Sequence, residues 1–519
     1  QLQFGDSGTY IHQSADGVLD LVSDTELELN ATTIDMNGNL DLSGTLNGIS
    51  ILADATNFTD SILISQNAGT GTLSSALRNT GLGDSVFAAL TSGDNNTAIG
   101  SSAMTANTSG YDNVAVGRNA LDANTDGHSN TALGESSLTS NTGGDKNVAI
   151  GQNAMAVNTT GSENVGIGRN ALDANTTASN NTAIGDQSLT ATTTGHSNVA
   201  VGHSALAANT TANDNVAVGS SALLDNTTGD VNTAIGTSAL ANNTTASNNT
   251  ALGREALFTN TTGASNTAMG NASLYSNTTA SENTAVGYQA LFANTTGANN
   301  VAAGYTAMDA NTTGGSNVGI GSSALGANTT GSNNSAVGNG AMAANTTGGE
   351  NTAVGRLSLD ACVSGSDNTA VGNGALGACT TSNNTAVGSS AAITCTTGGN
   401  VVAVGYKALE AHTTANHVTA VGSEALKANT TGGSNTAVGT AALTANTTGD
   451  QVTAVGAFAL DANTTGIRNT ALGVEALTAC TTADNNTAIG HTALAALTTG
   501  STNVSVGYNS GSAITTGTK

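Results

Sequence analysis

Small, branched and polar residues alternate along this chain in a pattern that repeats at a fixed spacing. Positions 113–117 carry Asn-Val-Ala-Val-Gly, and positions 130–134 carry the closely similar pentad Asn-Thr-Ala-Leu-Gly. An Ala-Leu pair at 120–121 and a polar stretch at 122–129 lie between them. Alternation over the pentad predicts a short β-strand, and the stretch rich in Asn, Thr and Gly predicts a turn.

The glycine that ends the pentad marks the period. It recurs at a fixed 17-residue spacing from Gly83 to Gly372, takes a single 16-residue step to Gly388, and then returns to the regular spacing as far as Gly507. The two runs hold 18 and 8 glycines, so the chain has 26 copies of the repeat. A short fixed period of this kind is typical of a solenoid, in which each coil contacts only its neighbours.

Residues that occupy the same place in successive repeats form columns. The columns, with members from the first regular repeats, are the glycine column (Gly100, Gly117, Gly134), the apolar column before it (Ile99, Val116, Leu133), the alanine column (Ala98, Ala115, Ala132), the Thr/Val column (Thr97, Val114, Thr131), the leucine column (Leu121) and the turn-Asn column (Asn107, Asn124).

The alternation of a strand places the apolar and Thr/Val columns on one side and the alanine column on the other. We expect the first two columns to face the core and the Ala-Leu pair to form a second short strand. The alanine column admits only very small residues, so a close neighbour must pack against it. We infer that this neighbour is another copy of the chain, which predicts a homotrimer.

These columns predict an all-β fold, a parallel β-solenoid or β-roll of 17-residue coils over residues 79–519. Each coil is a strand, a glycine bend, a second strand and a turn. Coils stack at about 4.8 Å, so the 26 copies predict a rod on the order of 120 Å long. The turn-Asn column predicts a structural ladder, with side-chain amides bonded to one another and to the backbone of the next coil.

The repeat does not extend to the amino-terminal part of the chain. Residues 1–60 alternate polar and apolar residues at 25–30, 33–37 and 39–43, which predicts a β shaft or collar segment. Residues 61–78 are a transition, in which positions 61–64 form one apolar strand.

The composition of the chain argues against two classes of function, nucleic-acid binding and membrane insertion. The chain has 10 basic and 35 acidic residues and a formal charge of −25, so it repels phosphates and is not expected to bind nucleic acid. No apolar run approaches the roughly 20 residues of a membrane span, so membrane insertion is not expected. Proline is absent, which suits a ladder that uses every backbone N–H.

No pattern typical of an enzyme interrupts the repeat, and we predict no catalytic, cofactor or metal site. The strings at 166–171 and 319–324 match a dinucleotide-binding fingerprint in letters alone, because the strand–loop–helix context is missing. They are repeats in which glycine replaces the alanine of its column.

Four cysteines occupy the turn-Asn column: Cys362, Cys379, Cys395 and Cys480. The first three lie on consecutive coils, close enough for a disulfide. Free thiols that replace Asn in a packed column are the favoured interpretation, and no His column runs beside them to complete a metal site.

Paired threonines in the turns, such as 159–160, 210–211 and 227–228, predict a flat array with two ranks of Thr. Some β-solenoids bind ice through arrays of this kind. A solvated turn that favours Thr for its β-propensity is the preferred interpretation.

The pentad followed by Ala-Leu resembles the head repeat of trimeric autotransporter adhesins, which are left-handed parallel β-rolls around a three-fold axis. The 17-residue form, with the leader at 4–12 and 27–38, resembles tail-fibre and virion structural proteins of marine bacteriophages. These resemblances imply a structural fibre of the virion that takes part in host attachment, with itself, other virion components and a host receptor as partners. The alternatives are a bacterial surface adhesin or extracellular filament, and an ice-binding solenoid.

Overall fold

A computed structural model describes residues 2–3, 10–15, 18–22, 45–46, 49–55, 58–65 and 71–517, with side chains from residue 58 onward. The chain divides into two compact units, Gln1–Ile51 and Leu52–Lys519. The alternating segments that predicted strands at 25–30, 33–37 and 39–43 lie outside the described residues.

The described part of the first unit consists of antiparallel strands. Strands β1 (Leu2–Gln3), β2 (Tyr10–Ala15) and β3 (Val18–Val22) form a sheet in that order. Strand β4 (Thr45–Leu46) pairs with the beginning of β5 (Ile49–Ala55). The role of this segment as a shaft or collar stays a prediction.

The second unit is one continuous parallel ladder of short strands. It contains β6 (Phe58–Ser65), β7 (Thr80–Leu82), β8 (Thr97–Ile99), β9 (Val114–Val116), β10 (Thr131–Leu133), β11 (Val148–Ile150), β12 (Val165–Ile167), β13 (Thr182–Ile184), β14 (Val199–Val201), β15 (Val216–Val218), β16 (Thr233–Ile235), β17 (Thr250–Leu252), β18 (Thr267–Met269), β19 (Thr284–Val286), β20 (Val301–Ala303), β21 (Val318–Ile320), β22 (Ser335–Val337), β23 (Thr352–Val354), β24 (Thr369–Val371), β25 (Thr385–Val387), β26 (Val402–Val404), β27 (Thr419–Val421), β28 (Thr436–Val438), β29 (Thr453–Val455), β30 (Thr470–Leu472), β31 (Thr487–Ile489) and β32 (Val504–Val506).

Successive strands pair in register, so each column is a row of like residues along the ladder. Ala115 lies opposite Ala132, and Ala132 lies opposite Ala149. The 16-residue step keeps this register, with Ala370 opposite Ala386. The predicted parallel β-solenoid of about 26 turns is thereby confirmed. The ladder begins with β6, because Ile62 pairs with Thr80 ahead of the first full repeat.

The side of the strand that faces the core is the reverse of our expectation. The alanine column is fully buried inside the coil, as at Ala115. The apolar column faces outward, and Ile99 and Leu133 are 38% and 45% exposed. The alanine column is therefore an interior packing surface of one chain and not a seam between chains.

The leucine column explains why only small residues fit in the alanine column. Leu121 and its equivalents are fully buried and fill the coil from the opposite side. Where glycine replaces alanine at Gly166, an added Cβ would already lie 3.2 Å from Cγ of Met155. The strand and the leucine column together leave room for a methyl group and little more.

The Ala-Leu pair is not a second strand. It lies in a turn after the glycine column, and Leu121 has a φ of 54°. A left-handed Leu is costly for an isolated residue, and here the buried side chain and the bond from Leu121 N to Ser137 O, at 3.0 Å, hold it. The coil therefore has one strand, and turns make up the rest.

The glycine column is required by the approach of the next coil. Gly117 has a φ of 140°, and a Cβ added there would overlap the carbonyl oxygen of Gly134. Both the backbone angle and the stacked backbone of the next coil exclude any residue other than glycine at this position.

The turn-Asn column forms a ladder of side-chain amides bonded to one another, as predicted, but the backbone partner lies in the same turn and not in the next coil. Nδ2 of Asn124 donates to Oδ1 of Asn107 at 2.8 Å in the preceding coil, and to the carbonyl oxygen of Gly127 at 3.0 Å in its own turn. These side chains are fully buried, so the bonds satisfy polar groups that water cannot reach.

A second buried ladder was not predicted. It consists of the Asn that begins each pentad, and we call it the pentad-Asn column. The backbone N–H of Asn113 donates to Oδ1 of Asn96 at 3.1 Å, and its Nδ2 donates to the same Gly127 oxygen at 2.9 Å. The carbonyl of Gly127 thus accepts two amide protons, and the pattern recurs in most coils, which ties the turn to the strand.

We predict that Ala234→Leu destabilises the coils around β16 by about 1–3 kcal/mol, because the new side chain must enter a filled interior. The outward neighbour Thr233 is the matched control, and Thr233→Leu should change stability by less than about 0.5 kcal/mol. Hydrogen exchange of the strand amides measures both changes. Equal effects of the two substitutions would show that the alanine column does not face the core.

Candidate interaction surface

The outward side of the parallel sheet is the most extensive apolar surface in the described second unit. We call it the sheet face and define it as the apolar and Thr/Val columns of β7 to β32. Every position in the two columns is Val, Ile, Leu, Met, Ala, Thr or Ser, and none is charged. Sequence reasoning found these columns but assigned them to the core.

The size of the sheet face is unusual for a surface in contact with water. Side chains such as Leu252, Met269 and Val286 are each about 40% exposed, and they follow one another on consecutive coils. The two columns continue from β7 to β32. Extended apolar patches are rare on monomeric proteins and mark sites of interaction.

Charged residues lie on other parts of the coil. Arg169 bonds to Asp186 at 3.1 Å and Lys146 bonds to Glu163 at 3.2 Å, in each case between neighbouring coils. These residues occupy turn positions and not strand positions. Among the described residues of the second unit, the charged side chains therefore lie away from the sheet face.

The paired threonines of the turns form two ranks with different bonds. In the first rank, Oγ1 of Thr159 donates to the carbonyl oxygen of Thr176 at 2.9 Å, and the bond recurs from coil to coil. In the second rank, Thr160 and Thr177 are exposed, and their hydroxyls have no partner among the described residues. Only one of the two predicted ranks is therefore free to bind water or a ligand.

Aromatic side chains also stack between coils. The rings of Phe258, Tyr275 and Phe292 are 5.2 Å apart at each step, and those of Tyr288 and Tyr305 are 5.4 Å apart. The recurrence of these aromatics at the repeat spacing was the available signal in the sequence. Because the rings cover each other's faces, the stacks mainly contribute packing along the solenoid.

All four cysteines are buried and free, as favoured from the sequence. Burial raises the pKa of the Cys362 and Cys480 thiols to about 11. His412 follows the first three cysteines in the same column, and burial lowers its pKa. A ring nitrogen of His412 is 3.0 Å from the carbonyl oxygen of Ala415, so the imidazole takes the place of an Asn amide.

The described residues contain no group of three or more His, Cys, Asp or Glu side chains placed to hold a metal ion. In the same part of the chain, no helix has the length and apolar character needed to cross a membrane. The glycines of the two fingerprint strings, Gly166 and Gly319, lie in the alanine column as expected.

No protein-family model matches the chain, and no match to a curated protein was found.

Proposed function

We propose that the chain is the shaft of a structural fibre, in which copies associate side by side through the sheet face. The observation that carries this proposal is the uncharged, half-exposed apolar surface that continues from β7 to β32. Burial of the sheet face removes a large apolar surface from water and leaves the acidic turns on the outside, where they keep assembled fibres apart.

Self-association fits this surface better than a different partner. The same two columns repeat on every coil, so a second copy meets equivalent residues along the whole length of the face. Contact at about 4.8 Å steps is cumulative, and a rod of many coils buries far more than the roughly 800 Å² per partner of an ordinary stable interface. The acidic residues of the turns oppose contact through that side of the coil, which favours association through the uncharged sheet face.

The number of copies and the biological setting come from the resemblance to trimeric adhesin heads and phage tail fibres. We propose a homotrimer in a virion fibre that spaces a receptor-binding part from the particle. A bacterial surface adhesin or extracellular filament is the alternative, since it would use the same rod. In either setting the coils supply length and stiffness, and exposed turns supply weak, repeated contacts.

Light scattering of the purified chain tests the association. We expect a mass of three chains, and a large reduction in the variant Val218→Lys/Ile235→Lys/Leu252→Lys, which places charges on three neighbouring strands of the sheet face. The matched control is Ser220→Lys/Thr237→Lys/Asn271→Lys, because these exposed turn positions lie in a column that already contains Arg254. The control should keep the mass of three chains.

A mass of one chain over a wide range of concentrations would contradict the proposal. An equal loss of mass in the two triple variants would also contradict it, since it would separate association from the sheet face.

Ice binding is a second candidate because of the free second rank of threonines. The hydroxyls of Thr228, Thr245 and Thr262 lie on consecutive coils at the inter-coil spacing and have no partner among the described residues. If the rank binds ice, the chain should show thermal hysteresis that is lost in Thr228→Lys/Thr245→Lys/Thr262→Lys. The hysteresis should be kept in Val218→Lys/Ile235→Lys/Leu252→Lys, which leaves the threonine rank intact. Absence of hysteresis in the native chain would exclude this candidate.

A further inference from the structure

The repeat departs from its pattern most strongly around the 16-residue step. The coil between Gly372 and Gly388 lacks the turn glycine, and Thr381 takes its place. Nδ2 of Asn368 donates to the carbonyl oxygen of Thr381 at 2.8 Å, as it would to a turn glycine in a regular coil. The coil is shorter, but its strand stays in register with its neighbours.

Both amide ladders are interrupted near this coil. The turn-Asn column continues as Cys362, Cys379 and Cys395, and Val401 and Val418 replace the pentad Asn in the next two coils. The thiols of Cys362 and Cys395 lie 3.7 and 3.6 Å from their turn carbonyl oxygens, and S–H is a weak donor. Coils in this region are therefore held by fewer strong side-chain bonds than coils elsewhere.

The backbone holds Cys379 and Cys395 at disulfide distance. On one side of the pair, Ala378 N donates to Ile393 O at 2.9 Å, and on the other, Thr380 N donates to Thr396 O at 2.9 Å. These bonds set the two Cα atoms near the inter-coil spacing of about 4.8 Å, within the roughly 4.4–6.8 Å that a disulfide spans. Both side chains point into the coil and are fully buried.

The surroundings of the two sulfurs differ. The neighbouring thiol of Cys395 holds the pKa of Cys379 below that of an ordinary thiol, and Nδ2 of Asn384, which donates to Sγ of Cys379 at 3.3 Å, acts in the same direction. The proximity of Cys379 raises the pKa of Cys395. The hydroxyl of Thr381 donates its proton to the carbonyl oxygen of Gly398 at 2.6 Å, so this hydroxyl does not donate to Sγ of Cys379.

We propose that Cys379 and Cys395 are a redox-responsive pair that forms a disulfide between adjacent coils by exchange with a small disulfide. The Cys379 thiolate attacks one sulfur of the reagent and releases the other as a thiolate. That thiolate takes the proton of Cys395, whose sulfur then attacks Sγ of Cys379 and releases the second thiolate, which takes a proton from solvent. The two cysteines are oxidised, and the reagent is reduced to two thiols.

The bond would lock the coils where the amide ladders are interrupted. It closes the short loop of chain from Cys379 to Cys395, and a crosslink of this kind restricts opening of the segment. Because the thiols are buried, thiol–disulfide exchange requires local unfolding of these coils. The disulfide that results then opposes further unfolding of the same coils. Cys480 lies among regular coils without a neighbouring cysteine and is the internal control.

Treatment of the full chain with oxidised glutathione, followed by intact mass and peptide mapping, tests the proposal. We expect the loss of two hydrogens, a link between Cys379 and Cys395, and exchange of the Thr380 amide that is slower by at least about tenfold. Cys480→Ser should behave like the native chain. Cys395→Ser should stop at the first step and carry one glutathione on Cys379.

Three results would overturn the proposal. They are a link between Cys362 and Cys379, a lasting glutathione adduct in the native chain with Cys395 free, and thiols that all stay unreacted in excess oxidised glutathione. Because the mapping is done on the native chain, the test does not depend on how the variants fold.

Discussion

The in-register stacking of coils at the inter-strand spacing is the constraint on which the rest of this structure depends. Each residue lies directly above and below its equivalents, so every column must be compatible with itself. Gly117 is the clearest case, because the carbonyl of Gly134 occupies the space of a side chain. Interior polar groups follow the same rule. The Asn columns succeed because an amide both donates and accepts, so identical side chains can bond in a continuous row.

This constraint made much of the fold predictable. The period, the strand, the glycine bend and the amide-to-amide bonds of the turn-Asn ladder all follow from residues that recur at one spacing, and the structure bears them out. The orientation of the strand could not be obtained in this way. Alternation separates Ala115 from Val116 but does not say which is inside, and a small residue suits a filled interior as well as a seam between chains.

Two further features were hidden for physical reasons. Leu121 adopts a left-handed conformation that local propensity disfavours, and only its burial among stacked equivalents makes it stable. In the sequence, the pentad Asn looked like an ordinary strand residue. Its ladder was not foreseen, because the side-chain amide bonds to a turn carbonyl 14 residues further along the chain. For the interaction surface, the sequence showed which residues share a side, and the orientation of the coil showed that this side is outside.

The same architecture gives different parts of the coil different properties. The leucine column and the amide ladders hold the interior together, the sheet face is the apolar surface through which we propose that copies associate, and the turns carry charge and variation. The region of the 16-residue step departs from this uniformity, and there buried thiols replace the amides.

Hydrogen exchange of the Asn side-chain amides, followed by NMR on a chain labelled with ¹⁵N at Asn, tests the central claim most directly. The account predicts two populations. Amides of the two buried columns, such as Asn113 and Asn124, should exchange at least about 100-fold more slowly than exposed ones such as Asn271. If all side-chain amides exchange at the rate of free asparagine, buried amide ladders do not hold the coils together and the account is wrong.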